Sequence, residues 1–131
     1  MVRNIIGLIS GIAVGGLIVG LIRTLALNRY PIAENLSSED LSHALGNMPN
    51  GFYFFIIGSH IFGAFAAGMV TAIIAKKHKS SWGLVAAMVI LAITAYSNYT
   101  NLNPDWVKLL DLSSTAIAGY LGAKIPSWRS A

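Results

Sequence analysis

The sequence predicts an all-α integral membrane protein with four transmembrane helices arranged as an up-down bundle. Of its 131 residues, 55% are hydrophobic and only 11% are charged, whereas about a quarter of the residues in an ordinary soluble domain are charged. The apolar residues also form runs long enough to cross a bilayer core of about 30 Å as helices. This length allows one domain, so we expect residues 1–131 to form a single transmembrane unit.

Each predicted span has a recognisable start or end. The spans cover about 4–27, 52–75, 81–100 and 104–125. The first is too long for the core of a signal peptide, and no Ala-x-Ala site follows it, so we expect it to stay attached. The fourth follows Asn103, Pro104 and Asp105, which suit the first positions of a helix, and should end before Pro126.

The charged residues predict the orientation of the spans. One side holds basic residues without acidic ones, namely Arg3, Lys76, Lys77, Lys79, Lys124 and Arg129. The other side holds all five acidic residues, Glu34, Glu39, Asp40, Asp105 and Asp111. Because Lys and Arg concentrate in cytoplasmic loops, both termini should be cytoplasmic, with Lys76, Lys77 and Lys79 as topology anchors.

The outer loop, 28–51, is the one long polar connection. Within it, the stretch SSEDLSHAL offers Ser37 as a helix cap with Asp40 three residues later. Leu41 and Leu45 would share one face of that helix. We therefore predict a short amphipathic helix in this loop, between the first and second spans.

Small residues at four-residue spacing predict how the first two spans pack. The first span carries Gly7, Gly11 and Gly15, and the second carries Ser59, Gly63 and Ala67. Helices in lipid associate by close packing and interhelical hydrogen bonds, which such flat faces permit. We expect these two faces to pack against each other within the chain rather than to form a dimer contact.

A cluster of polar residues is predicted in the outer half of the membrane. His60 shares a face with the small residues of the second span and lies about 13 Å deep, while Asp111 lies about 10 Å deep in the fourth. Other polar side chains approach the same level from neighbouring spans. The candidate intramembrane polar cluster, expected to open outward, comprises His60, Asp111, Arg23, Lys108, Tyr96 and Asn98.

Two interpretations of this cluster remain open. His60 is either a structural residue that links helices by hydrogen bonds, or a proton, quinone or ligand site in which Asp111 interacts with the imidazole. Asp111 either is buried or forms a salt bridge with Lys108, with both side chains extending toward the outer headgroups.

No motif of an enzyme or of a cofactor site is found. The chain has no cysteine, which excludes disulfides and thiolate metal ligands. His43 and His78 fall in loops, so they do not form a bis-histidine haem site with His60. We predict no catalytic residue, no metal, no nucleic-acid partner and no cofactor, although a bound lipid or quinone is compatible with the sequence.

Short motifs resemble those of a loosely defined group of small bacterial four-span membrane proteins. They are Arg29-Tyr30-Pro31 after the first span, the segment from Asn47 to Asn50, and Ser59-His60-Ile61-Phe62-Gly63-Ala64-Phe65. The resemblance implies a location in the bacterial inner membrane and carries no activity.

The small size, short loops and small-residue faces favour one functional hypothesis over two others. We expect an accessory or structural subunit that packs against membrane lipids and other membrane protein subunits, or against itself. The first alternative is a small oligomeric transporter, channel or proton-coupled carrier that uses the polar cluster. The second is a quinone-binding subunit of a redox complex.

Overall fold

The fold is all-α, as predicted, in the part of the chain that the structure describes. The computed structural model describes residues 2–30, 37–100 and 104–130, and these contain helices and no strand. The helices are α1 (Val2–Arg29), α2 (Ser38–Gly46), α3 (Asn50–Ile74), α4 (Lys79–Thr100) and α5 (Asp105–Ser130).

Three of these helices, α1, α3 and α4, are long and apolar enough to cross a membrane. The fifth, α5, is 26 residues long, but charged side chains such as Lys108, Asp111 and Lys124 interrupt its apolar stretches. The chain is therefore a membrane protein by the length and composition of three helices, and the fourth span stays a prediction.

The predicted end of α5 before Pro126 is wrong, because Pro126 lies inside that helix. Proline lacks an N–H and removes one backbone hydrogen bond, which costs about 3 kcal/mol in a soluble helix. Membrane helices tolerate this loss when neighbouring groups satisfy the freed carbonyl. At the other end, the Pro104 carbonyl accepts from the Val107 and Lys108 N–H groups. The predicted cap Asn103 lies outside the described residues.

The short helix α2 is present where the outer-loop sequence predicts it. The Ser37 side chain accepts a hydrogen bond of 3.1 Å from the Asp40 N–H, as expected for a residue that caps the first turn. At the other end, the Asn47 N–H donates to the Ala44 carbonyl. The next helix, α3, begins only a few residues later, at Asn50.

Most of the contacts between helices are made by α3, which packs against α1, α4 and α5. Twelve of its 25 residues are buried, against five of the 28 in α1. The first helix therefore lies at the edge, and most of its side chains point away from the other helices. Exposed residues such as Ile9, Leu17 and Leu21 give it an apolar outer surface suited to lipid or protein.

The relative directions of the helices follow from the residues that touch. Gly7 lies against Ile74 and Gly15 against Gly63, so α1 and α3 are antiparallel. Gly83 lies against Ala123, and these residues stand near the start of α4 and the end of α5. Those two helices are therefore antiparallel as well.

Side chains at the start of α1 form hydrogen bonds with backbone groups at and just after the end of α3. The Asn4 side-chain oxygen accepts a hydrogen bond of 2.8 Å from the Lys76 N–H. Nε of Arg3 donates to the Ile74 carbonyl at 2.7 Å, which would otherwise be one of the unpaired carbonyls at a helix end. The predicted anchors Lys76 and Lys77 lie in this exposed turn, and Lys79 is the first residue of α4.

Candidate functional site

The candidate site is a polar network buried between three helices. His60 comes from the middle of α3, Asn98 from the last turn of α4, and Asp111 and Thr115 from consecutive turns of α5. None of the four is more than 2% exposed. We call these four residues the buried network.

Asp111 is at the centre of the buried network. Nδ1 of His60 lies 2.8 Å from Oδ2 and 3.0 Å from Oδ1 of the carboxyl group. The Asn98 amide donates to Oδ2 at 2.9 Å and to the Thr94 carbonyl at 3.0 Å. The Thr115 hydroxyl donates to Oδ1 at 3.3 Å. One carboxyl group therefore links side chains from α3, α4 and α5.

The prediction that the polar cluster opens outward is wrong, because apolar side chains close that end. Tyr53 lies two turns before His60 on α3, Val107 lies one turn before Asp111 on α5, and both are buried. They belong to an apolar core made of Ala26, Phe52, Tyr53, Ile56, Ile57 and Val107. The Tyr53 hydroxyl accepts from the Met48 N–H at 3.0 Å, so its polar end faces the loop before α3.

Three residues of the predicted cluster lie away from the buried network. Tyr96 is 73% exposed. It lies two residues before the buried Asn98, and residues two apart on a helix point to different faces. Nζ of Lys108 lies 5.4 Å from the centre of the Tyr99 ring and forms no ion pair with Asp111 among the described residues. The alternative of a Lys108–Asp111 salt bridge is therefore wrong.

Arg23 is also separated from the buried network. It lies on α1, seven residues after Gly16 and three after Gly20, so all three share a face. Gly20 is nine residues, or two and a half turns, from Gly11, which faces α3. Gly16 and Gly20 are therefore exposed on the side turned away from α3, whereas Arg23 is half-buried. The Arg23 guanidinium makes no hydrogen bond or ion pair in the described part of the chain.

The predicted packing residues of α1 and α3 are in close contact. A Cβ atom on Gly11 would meet the Thr71 hydroxyl, and one on Gly15 would stand 2.6 Å from the Gly63 carbonyl. Thr71 donates a hydrogen bond of 3.1 Å to the Gly7 carbonyl across this contact, and Ala67 is fully buried beside it. Ser59 is buried too, but its hydroxyl donates to the Ile56 carbonyl within α3.

A second small-residue contact, between α3, α4 and α5, was missed in the sequence. Its glycines are Gly68, Gly83, Gly119 and Gly122, and in each case an added Cβ would meet a neighbouring helix. Thr115 of the buried network was expected just below Asp111 but was not included in the predicted cluster. The available signal was the four-residue spacing of Asp111, Thr115, Gly119 and Ala123, which places all of them on one face of α5.

One surface groove borders the buried network, and a larger one does not. The larger groove, of about 590 Å³, lies on the surface of α1 and α3 and is lined by apolar residues such as Ile22, Phe55 and Phe62. Thr115 borders a smaller groove of about 190 Å³ between α4 and α5. Among the described residues, no group of three or more His, Asp or Glu is arranged to hold a metal ion.

Comparison of the chain with protein-family models, with curated proteins and with solved structures gives no match. The resemblance to small bacterial four-span proteins therefore stays a prediction.

Proposed function

We propose that this chain is an accessory or structural subunit of a larger membrane protein assembly, with four spans and both termini in the cytoplasm of a bacterial cell. It would contact its partner through the open face of α1, which we define as Gly16, Gly20 and Arg23. The observation that carries this proposal is the contrast between the two glycine faces of α1. The face with Gly7, Gly11 and Gly15 is filled by α3, whereas no atom of another helix among the described residues lies within 4 Å of a Cβ placed on Gly16 or Gly20.

The positions of the basic residues support the proposed orientation. Arg3 contacts the carbonyl of Ile74 just before the Lys76 turn, and Ala123, next to Lys124, packs on Gly83 at the start of α4. Basic residues from three chain segments thus lie at one end of the helices. Since basic ends face the cytoplasm, this end is proposed to be cytoplasmic and α5 to be the fourth span.

The open face of α1 has the properties of a helix-packing surface. Two glycines one turn apart let a second helix approach the backbone closely, which drives association in lipid. Arg23 lies one turn further along and has no ion-pair partner among the described residues. A charge on a membrane helix is stabilised by a paired acidic group or by headgroups. The expected partner surface is a transmembrane helix with small residues and a carboxylate near its outer end.

The closed core favours this role over that of a carrier. His60 and Asp111 are 2% and 0% exposed, and the two grooves described above are lined mainly by apolar residues. A carrier that uses His60 and Asp111 would need an open path from the surface to these side chains. A subunit whose helices are linked by the same side chains would not need such a path.

The test places a photo-crosslinking amino acid at position 20 of the full chain in its native membrane, with position 58 as the matched control. Gly58 is also a glycine with no atom within 4 Å of an added Cβ, but it lies on α3. We expect position 20 to crosslink to a different membrane protein and position 58 to crosslink to lipid.

A second measurement asks whether the contact depends on the open face. The double change Gly16→Leu with Gly20→Leu should reduce co-purification of the crosslinked protein at least tenfold, while Gly58→Leu leaves it unchanged. Crosslinking of position 20 only to lipid would refute the proposal. Crosslinking only to a second copy of this chain would refute the accessory role and indicate a homodimer.

A further inference from the structure

We propose that a groove between α3 and α5, at the end of the helices that carries the Lys76 turn, binds an anionic phospholipid. One acyl chain lies along the groove, and the phosphate pairs with the Lys79 ammonium group. The site is formed by α3, α4 and α5, so it does not depend on the partner proposed for α1. With the proposed orientation, the lipid belongs to the cytoplasmic leaflet, which carries a negative surface charge.

The groove has the size and the lining of a site for a lipid chain. Its volume is about 360 Å³, within the range of about 300–1,000 Å³ that is usual for small-molecule sites. It is lined by Met69 and Ile73 of α3 on one side and by Ile125 and Pro126 of α5 on the other. Pro126 has no backbone N–H, so it adds an apolar ring and no hydrogen-bond donor to this lining.

Lys79, which also lines the groove, gives it a cationic end. It is the first residue of α4, and its ammonium group forms no ion pair among the described residues. Lys76 and Lys77 in the preceding turn are exposed, whereas Lys79 is half-buried. A lysine that served only as a topology anchor would not need to be enclosed. An apolar groove that ends at a half-buried ammonium group fits a phospholipid, in which apolar chains are joined to a phosphate.

The charge around the groove is positive as well. Nε of Arg3 donates to the Ile74 carbonyl, next to Ile73, and Lys124 directly precedes Ile125. The acidic residues that the structure describes lie elsewhere, on α2, at the start of α5 and in the buried network: Glu39, Asp40, Asp105 and Asp111. Basic pockets between membrane helices on the cytoplasmic side are typical sites for anionic headgroups. The surroundings of Lys79 therefore attract a negative ligand.

The lining favours a lipid chain over a partner helix. Helices that associate in lipid approach through small residues, and no Gly, Ala or Ser is among the described residues that line this groove. Met69 and Ile73 are also only about 6 Å apart along the axis of α3. Ile73 lies in the last turn of α3, so the groove begins where the headgroups meet the acyl chains.

Binding can be measured by native mass spectrometry of the full chain released from detergent micelles. The probes are phosphatidylglycerol, which is anionic, and phosphatidylcholine with the same acyl chains, which is zwitterionic. We expect the original protein to retain a single phosphatidylglycerol and to bind it about fivefold more tightly than phosphatidylcholine, as one lysine near a membrane surface would provide. Equal affinity for the two lipids would overturn the proposal.

Two lysines that are close in the chain separate this site from a general attraction to the basic end. Lys79→Gln should abolish the preference for phosphatidylglycerol. Lys77→Gln removes the same charge from an exposed position that does not line the groove, so it should keep the preference. If the two substitutions reduce the preference equally, the lipid is attracted by net charge alone and the proposal is wrong.

The acyl-chain part of the site is tested by filling the groove. Ile73→Trp should reduce the retention of both lipids, whereas Leu109→Trp should not, because Leu109 is exposed on α5 and does not line the groove. Unchanged retention by Ile73→Trp would show that the groove holds no acyl chain, and so would displacement of the lipid by inorganic phosphate alone. Circular dichroism of each variant checks that the helices are intact.

The occupant in the native membrane is identified with a photo-crosslinking amino acid at position 73. We expect crosslinks to phospholipid, with a smaller share of phosphatidylglycerol when Lys79→Gln is added. A crosslink to a protein, either a second copy of this chain or another subunit, would overturn the choice of a lipid. That result would leave the contact proposed for α1 untouched, because position 20 lies on a different helix.

Discussion

Replacing Gly11 by alanine should destabilise the protein, whereas the same replacement at Gly16 should not. The two residues lie on the same helix, five positions apart, and the chemical change is one methyl group. The two positions differ in the atoms that surround them. An added Cβ on Gly11 would stand 2.6 Å from the Ala67 carbonyl oxygen and would overlap the Thr71 hydroxyl, while no atom of another helix in the described ranges lies within 4 Å of one on Gly16.

The cost at Gly11 follows from the atoms that would have to move. Ala67 contributes a backbone oxygen, which cannot rotate away as a side chain can, so α1 and α3 must separate by roughly 0.9 Å to restore a 3.5 Å contact. Overpacking of this kind costs about 1–3 kcal/mol. Separation also weakens the hydrogen bond from Thr71 to the Gly7 carbonyl, which in a membrane is worth about 0.6–1.7 kcal/mol.

Alanine recovers part of this cost because it favours the helix over glycine by about 0.5–1 kcal/mol. The balance for Gly11→Ala is a loss of about 2 kcal/mol, or roughly a thirtyfold change in the folding equilibrium. Gly16→Ala keeps only the favourable contribution, so its stability should equal or exceed that of the original protein.

The assay is unfolding by increasing mole fractions of SDS in mild-detergent micelles, followed by tryptophan fluorescence. We expect the midpoint of Gly11→Ala to fall clearly below that of the original protein and the midpoint of Gly16→Ala to be unchanged or higher. Equal midpoints for the two variants would refute the reasoning, because the tight contact between α1 and α3 would then have no energetic consequence.

Three further predictions concern single hydrogen bonds. Thr115→Val removes one donor to the buried carboxylate and should lower the SDS midpoint by the equivalent of about 1 kcal/mol, and an unchanged midpoint would show that this 3.3 Å contact is not stabilising. Ser37→Ala should cost α2 about 1 kcal/mol, measured as faster hydrogen exchange of the Asp40 amide, while exchange in α3 stays the same. Asn4→Leu frees the Lys76 amide and should speed its exchange about fivefold, and protection equal to the original would show that another acceptor replaces the Asn4 oxygen.

Much of the local structure could be predicted because it depends on neighbours in the chain. The apolar runs predict α1, α3 and α4, and Ser37 with Asp40 predicts the start of α2, since a cap involves residues three apart. Pro126 is an exception to this dependence on chain neighbours. Proline by itself favours the end of a helix, but α5 continues through Pro126. Packing regularly overrides the intrinsic helix propensity of a single residue.

The composition of the buried network was harder to predict than its depth. The depth of a residue follows from counting along its helix, and this count places His60, Asp111 and Asn98 at one level. The rotation of each helix about its axis decides which side chains at that level face inward. That rotation directs Asp111 inward and Lys108, three residues earlier, toward the Tyr99 ring.

By itself, the sequence determined that this is a helical membrane protein, where its apolar helices lie, and that one face of α1 is flat. Only the tertiary structure decided that His60 and Asp111 touch and that apolar residues close the end of the helices beside the loop before α3. The physical reason is that hydropathy is a property of a segment, whereas the phase of one helix against another is set by close contacts such as Gly15 with Gly63 and Gly119 with Ala87. Those contacts join residues that are distant in the chain, and no local pattern encodes their register.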